Sequence, residues 1–166
     1  MTRRSIPKRA AIVTATALVA IGTVTAGVSL AGQDSPEKAS KKQITSLFET
    51  WNAALQTGDS GKVADLYAKD AVLLPTVSNK VRTDRAEIVD YFDHFLENKP
   101  VGKKIETIAS VLDGDSAIDT GVYEFTLTDP DTGKKRVVEA RYTYAYEKID
   151  GEWLIVNHHS SAMPEG

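Results

Sequence analysis

The 166 residues contain no cysteine. That excludes a disulfide framework and a lipid-modified thiol, and leaves a hydrophobic core as the only means of holding a fold. Histidine is scarce as well: His94, His158 and His159 are all there is. Neighbours on an extended run point to opposite faces, so His158 and His159 cannot chelate one ion together. A three-ligand zinc set would need His94 (beside Asp93), one of the pair and a carboxylate, at no standard spacing. No metal site is expected. Phosphate loop, dinucleotide fingerprint and Ser-His-Asp order are all missing, so no cofactor is expected, neither flavin nor nicotinamide. A basic stripe is also missing, which sets nucleic acid aside as a partner. There is no internal repeat and no low-complexity segment.

One long uncharged run exists, residues 10–32, and Arg3, Arg4, Lys8 and Arg9 stand in front of it. A cationic start followed by an apolar stretch is the pattern of an export signal. The segment from Thr2 to Lys8 resembles a twin-arginine signal; Pro7 departs from that pattern and leaves the general secretory route open. Ser29-Leu30-Ala31 offers small residues where a signal peptidase reads. The alternative is an uncleaved anchor, but the Gly, Thr and Ala content makes the run weakly hydrophobic, which favours cleavage. Cleavage after Ala31 removes four cations and no acid, moving the formal charge from −3 to −7. The expected organisation is a signal at 1–31, a polar spacer at 32–43 and a single domain at 44–164. The mature protein is expected to be exported, with no membrane contact beyond the signal. Roughly 130 mature residues suffice for one domain with a real core.

Within the domain the apolar period changes once. Residues 44–56 carry Ile44, Leu47, Phe48, Trp51, Ala54 and Leu55 at the spacing of an amphipathic helix, with Gly58 just past its end. Asp59 or Ser60 is placed to cap a short second helix through Val63, Leu66 and Tyr67. Residues 71–75 have strand length, and 77–82 follow as an expected hairpin partner. Thr83 or Asp84 caps a third helix bearing Ile88, Tyr91, Phe92, Phe95 and Leu96, and Glu87 sits at capping-box spacing. From Lys104 onward the pattern is strands: 104–112, 116–128 and 136–148, with turns at Asp113-Gly114-Asp115 and at residues 129–133. The last strand is 152–159. Helices first and a long antiparallel meander after them define an α+β protein. The expected arrangement is three N-terminal helices packed in the concave face of a curved, four-stranded antiparallel sheet, with the other sheet face available for dimerisation.

The closing hairpin concentrates the chemistry. Asp150-Gly151 joins residues 141–148 to residues 152–159, a strong hairpin signal because both turn residues take positive φ readily. Tyr142, Tyr144 and Tyr146 share one face, with Arg141, Thr143 and Ala145 on the other. The final strand is apolar at Trp153-Leu154-Ile155-Val156 and polar at Asn157-His158-His159-Ser160-Ser161. By alternation His158 shares a face with Leu154, Val156 and Ser160, and His159 with Trp153, Ile155 and Asn157.

The run Asp150-Gly151-Glu152-Trp153-Leu154-Ile155-Val156-Asn157-His158-His159-Ser160, preceded by helix, Gly-Asp, short helix, hairpin, helix and meander, resembles the nuclear transport factor 2-like (cystatin-like cone) superfamily. Within it the chain is similar to the association (hub) domain of calcium/calmodulin-dependent protein kinase II, whose end has the form D-G-x-W-x-I-V-x-x-H-x-S. It is also similar to the SgcJ/EcaC-like bacterial proteins, akin to SnoaL and to steroid isomerases. The resemblance covers residues 44–164 and implies a cone-shaped fold and a homodimer or larger ring. No kinase or calmodulin-binding segment accompanies it here. The hub domain has an arginine after its last histidine where this chain has Ser160, and a second pocket arginine where this chain has Tyr144. Arg141, by parity, faces away from Tyr144, so the hub's arginine pair does not carry over. Relatives that isomerise steroids use an aspartate base and a tyrosine donor; Asp119 and Glu124 are the only acids in the 116–128 strand.

Two functions follow as expectations. One is an exported, non-catalytic module that self-associates and binds a small organic molecule, lined by Tyr142, Tyr144, Tyr123, Trp51, His158 and Ser160. The other is an SgcJ/EcaC-like or isomerase-like enzyme acting on a small hydrophobic carbonyl compound, in which His158, with Asp119 or Tyr144, moves the proton. His158 reads either as a general base or as a structural group bonded to a tyrosine. The structural reading is favoured, because no oriented acid partner is visible. The tyrosine stripe reads equally as a pocket wall and as a core face.

Overall fold

A computed structural model describes residues 38–164. The expected signal at 1–31 and the first part of the spacer lie outside the described residues. The chain forms α1 (Lys41–Gln56), α2 (Ser60–Ala64), β1 (Tyr67–Leu74), α3 (Arg85–Leu96), β2 (Val101–Val111), β3 (Ser116–Thr128), β4 (Lys135–Ile149) and β5 (Glu152–Ala162). Among the described residues no helix is long and apolar enough to cross a membrane.

Each helix starts where a side chain satisfies its free N–H groups. Ser40, Asp59 and Asp84 accept from the backbone N–H of Gln43, Lys62 and Glu87,. Glu87 returns the favour by accepting from the Thr83 N–H at 3.0 Å, which completes the box one residue ahead of the cap,. α1 ends at Thr57, with Gly58 beyond it at φ 71°. α2 is shorter than its apolar pattern suggests. It stops at Ala64, and Tyr67 opens a strand instead, because Leu66 O accepts from the Ile155 N–H at 2.9 Å and Tyr67 aligns with Ile155. Sheet pairing overrides a weak helical period here.

The sheet has five strands, one more than the meander supplies, in the order β1-β5-β4-β3-β2. β2 to β5 form the expected antiparallel meander, and β1 adds to β5 in parallel. The sheet is therefore mixed rather than purely antiparallel. Residues 77–82 do not form a hairpin strand; one bridge, Leu73 to Arg82, is all that pairs them. The β4–β5 turn forms as expected, with Asp150 at φ 53° and Gly151 at φ 90°,.

The helices cover one face of a curved, unclosed sheet, and the core lies between the two layers. From α1 it takes Ile44, Phe48, Trp51 and Leu55; from α3, Ile88, Phe92 and Leu96; from the sheet, Tyr123, Phe125, Tyr142, Tyr144 and Ile155. Two bulges in the antiparallel meander shape it. At β5 the register steps from Ala145–Asn157 to Tyr146–Ile155, leaving Val156 without an opposite residue,. Parity therefore flips, and the inner face reads Ile155, His158, Ser160. Ile155 is buried with His158 rather than sharing the His159 face, so alternation alone misplaces it, together with Leu154 and Val156.

The second bulge is at Ile105 in β2, where Lys104 opposes Tyr123 and Glu106 opposes Val122. It drives the Glu106 carbonyl against β3: a Cβ on Gly121 would lie 2.0 Å from that oxygen. Backbone cannot yield as a side-chain tip can. Gly121→Ala is expected to lower unfolding stability by on the order of 3 kcal/mol, read as a reduced urea midpoint at unchanged slope. A midpoint equal to that of the parent would show that the bulge relaxes freely.

Candidate functional site

Two registered pairs bring the three sequence candidates side by side: Asp119 opposes Tyr144, and Tyr144 opposes His158. Their polar atoms nevertheless go to two separate networks. The Tyr144 hydroxyl belongs to neither and has no hydrogen-bond partner among the described residues. Tyr144 serves as a flat surface instead, stacked on the His158 ring with centroids 4.1 Å apart.

The first network runs through His158. The Trp51 indole N–H donates to the Tyr67 hydroxyl at 3.1 Å. That hydroxyl lies 2.8 Å from His158 Nδ1, and the Tyr123 hydroxyl lies 3.4 Å from Nε2. Indole is a donor only, so Tyr67 accepts from it and has its own proton left for Nδ1. Nδ1 is then the lone-pair nitrogen, and Nε2–H donates towards Tyr123. Tyr123 donates in turn to Ser160 Oγ at 2.6 Å, and Ser160 hydrogen-bonds Thr76. Every link fits a neutral imidazole. Burial, with a smaller contribution from the nearby His159, pushes the His158 pKa down to about 3,. Burial also raises the Tyr67 and Tyr123 hydroxyls well above their ordinary range.

The second network holds Asp119, which is 0 % exposed. Lys104 Nζ donates to its Oδ2, and the Tyr142 hydroxyl donates to its Oδ1 at 3.1 Å. Lys104 also donates to the Thr45 carbonyl of α1 at 2.9 Å and lies over the Phe48 ring. This pair ties β2 and β3 to α1. Asn52 adds a second tie from α1 to β2, donating to Gly102 O and accepting from Gly102 N–H at 2.9 and 2.8 Å.

Between α3, the segment after β1 and the inner sheet face is a cavity of about 60 Å³. One water needs roughly 10–15 Å³ on this scale, so the space takes a small group rather than a drug-sized body. Of the expected lining, Trp51, Tyr123, His158 and Ser160 are there; Tyr142 and Tyr144 share their face but lie outside the cavity wall. The wall also takes the α3 aromatics Tyr91, Phe92 and Phe95, expected as a helix face but not as cavity lining, and Arg136, which stands exposed at the cavity edge. Arg136 has the same strand parity as Tyr144, and that parity could have revealed it. Among the described residues no group of three or more His, Asp or Glu converges as a metal site would. His94 lies on α3, and His159 faces outward.

Comparison with known proteins agrees with this architecture. The family model of the calcium/calmodulin-dependent protein kinase II association domain matches residues 40–164, and the chain belongs to that family. A Xanthomonas campestris crystal structure described as such an association domain is 59% identical over 79% of this chain and 93% of that one, with a TM-score of 0.75. The association domain of the C. elegans kinase is 14% identical over 74% and 95%, TM-score 0.60. A ketosteroid isomerase-like protein from Erwinia carotovora is 17% identical over 75% and 97%, TM-score 0.62. At those identities the last two show the shared fold. Comparison with curated protein sequences gives no match.

The neutral His158 carries a pH signature. Its folded pKa of about 3 lies below the ordinary 6.5, so the unfolded chain binds the proton more readily,. Its contribution is intact above pH 6.5 and is lost as pH falls from there towards 3. In His158→Gln the dependence of unfolding free energy on pH over this window is expected to lose up to about 1.4 kcal/mol per pH unit. Urea titrations at half-unit pH steps read this directly; parallel curves for parent and variant would contradict it.

Proposed function

We propose that the chain is an exported, self-associating module of the association-domain type whose cavity receives a small, largely apolar group, and that it does no chemistry. The outer face of the sheet carries this reading. Ile108 on β2 is 57% exposed and Val137 on β4 is 61% exposed, with Ile118 and Val122 half-buried between them on β3. These apolar side chains, set among Glu106, Arg141, Thr143 and His159 on the same face, are covered by a second copy through a two-fold contact,. The name of the matched family, an association domain, supports the same reading.

The absence of chemistry is supported by how the candidate residues are occupied. Both His158 nitrogens are within reach of tyrosine hydroxyls, and among the described residues no acid orients the ring. Asp119 is committed to Lys104 and Tyr142, away from the cavity. A proton-transfer base needs a free lone pair facing substrate, which neither group offers. The aromatic wall with Ser160 and Thr76 at one end suits a small apolar group bearing one hydrogen-bonding atom,.

The test is native mass spectrometry of the protein isolated from its exported fraction. The expected species is a dimer or larger ring of subunits that start after residue 31. Ile108→Glu, which puts a charge in the contact, is expected to raise the dissociation constant at least about a hundredfold while leaving the near-ultraviolet circular dichroism unchanged. A parent protein that stays monomeric across micromolar concentrations would overturn the proposal.

A further inference from the structure

A second hollow, of about 260 Å³, opens on the other side of Tyr91 and Phe95 and is lined by Val77, Ser78, Arg82, His94 and Asn98 as well. Its size is below the roughly 300–1,000 Å³ of drug-sized sites and suits a molecule of about one ring. The feature that singles it out is Arg82. This residue is 9% exposed, and its guanidinium cannot shed its charge,. A buried guanidinium is ordinarily saturated with acceptors, because desolvation is costly otherwise. Here its side-chain contacts among the described residues are Asp90 Oδ2 at 3.4 Å and Ser78 Oγ at 3.5 Å, and its Nε has no partner. Asp90 is itself 56% exposed, so this pair is loose and screened,.

The surroundings extend the same chemistry. Tyr91 and Phe95 stack at 13° with centroids 5.8 Å apart, a flat apolar wall, and Arg82 lies 6.0 Å from the Tyr91 ring centre. His94 donates Nδ1–H to the Asp90 carbonyl at 2.8 Å, which leaves Nε2 at the rim. That bond, with the charges of Asp90, Glu97 and Asp93, raises the His94 pKa above its ordinary value.

We infer that this hollow is a recognition site for a small aryl carboxylate, whose carboxylate meets the Arg82 fork and whose ring lies on Tyr91 and Phe95. A carboxylate supplies the two parallel acceptors that a guanidinium takes best, and a planar ring uses the aromatic wall. The site stands apart from the proposed function: it uses neither the His158 network nor the outer sheet face.

The test is titration of the full chain with benzoate, with acetate and benzyl alcohol as controls, followed by amide chemical shifts. Benzoate is expected to saturate at millimolar concentration or below, moving Ser78, His94 and Asn98. Acetate, which lacks the ring, and benzyl alcohol, which lacks the charge, are each expected to bind at least tenfold more weakly. Arg82→Lys keeps the charge but loses the fork, and is expected to weaken benzoate at least tenfold. Asp90→Asn, on an exposed side chain, removes the competing anion and is expected to tighten benzoate severalfold; a purely structural Arg82–Asp90 pair would give no such gain. The inference is overturned by failure to saturate, by shifts confined to Leu127, Ala140 and Ser160 of the inner cavity, by equal binding of benzyl alcohol, or by an Asp90→Asn protein that binds no tighter.

Discussion

The structure depends on a histidine kept neutral inside an aromatic core. His158 on β5 is stacked on Tyr144 of β4 and edged by Trp51 of α1, with its nitrogens turned to Tyr67 of β1 and Tyr123 of β3. Four strands and a helix thus meet at one ring. An imidazolium there would face burial with no anion beside it among the described residues, so the fold requires the uncharged form,. The Trp51 indole, a donor only, then chooses the tautomer: Tyr67 gives its proton to Nδ1, and Nε2–H points to Tyr123, which donates to Ser160,.

The other end of the core is held differently. Lys104 and Asp119 form a buried ion pair with Tyr142 and the Thr45 carbonyl as additional partners. Such a pair adds little net stability over an apolar replacement, yet removing one partner strands a charge. Its effect is to specify: it fixes where α1 crosses β2 and β3, as the Asn52–Gly102 bonds do. The cavity forms at the His158 end, where α3 and the segment after β1 stand off from the sheet.

Much of this was legible in the chain. Capping residues marked the starts of α2 and α3, and Asp-Gly marked the final hairpin, because these signals are local; α1 starts at Lys41 behind the Ser40 cap, inside the stretch read as spacer. The fifth strand was not legible, since Tyr67 pairs with Ile155 across 88 positions and reads locally as the tail of a helix. Nor was the bulge at Val156: one unopposed residue reverses the parity of Ile155 without changing composition. The candidates His158, Asp119 and Tyr144 do fall in one row across three strands, as alternation implies. Their division into two networks depends on Tyr67, Tyr123 and Lys104, which reach them from other strands. Arg82 was not legible for a related reason: its burial comes from α3 and the short bridge to Leu73, not from its own apolar surroundings in sequence.

The most direct test of this account is a nitrogen-15 to proton correlation spectrum of the histidine side chains, recorded between pH 8 and pH 5. The expected result is a single neutral His158 throughout, protonated on Nε2 and with a lone-pair Nδ1, while the exposed His94, whose pKa is raised, takes up its proton. An imidazolium at position 158 in this range, or a neutral ring protonated on Nδ1, would contradict the hydrogen-bond order on which the description of the core rests.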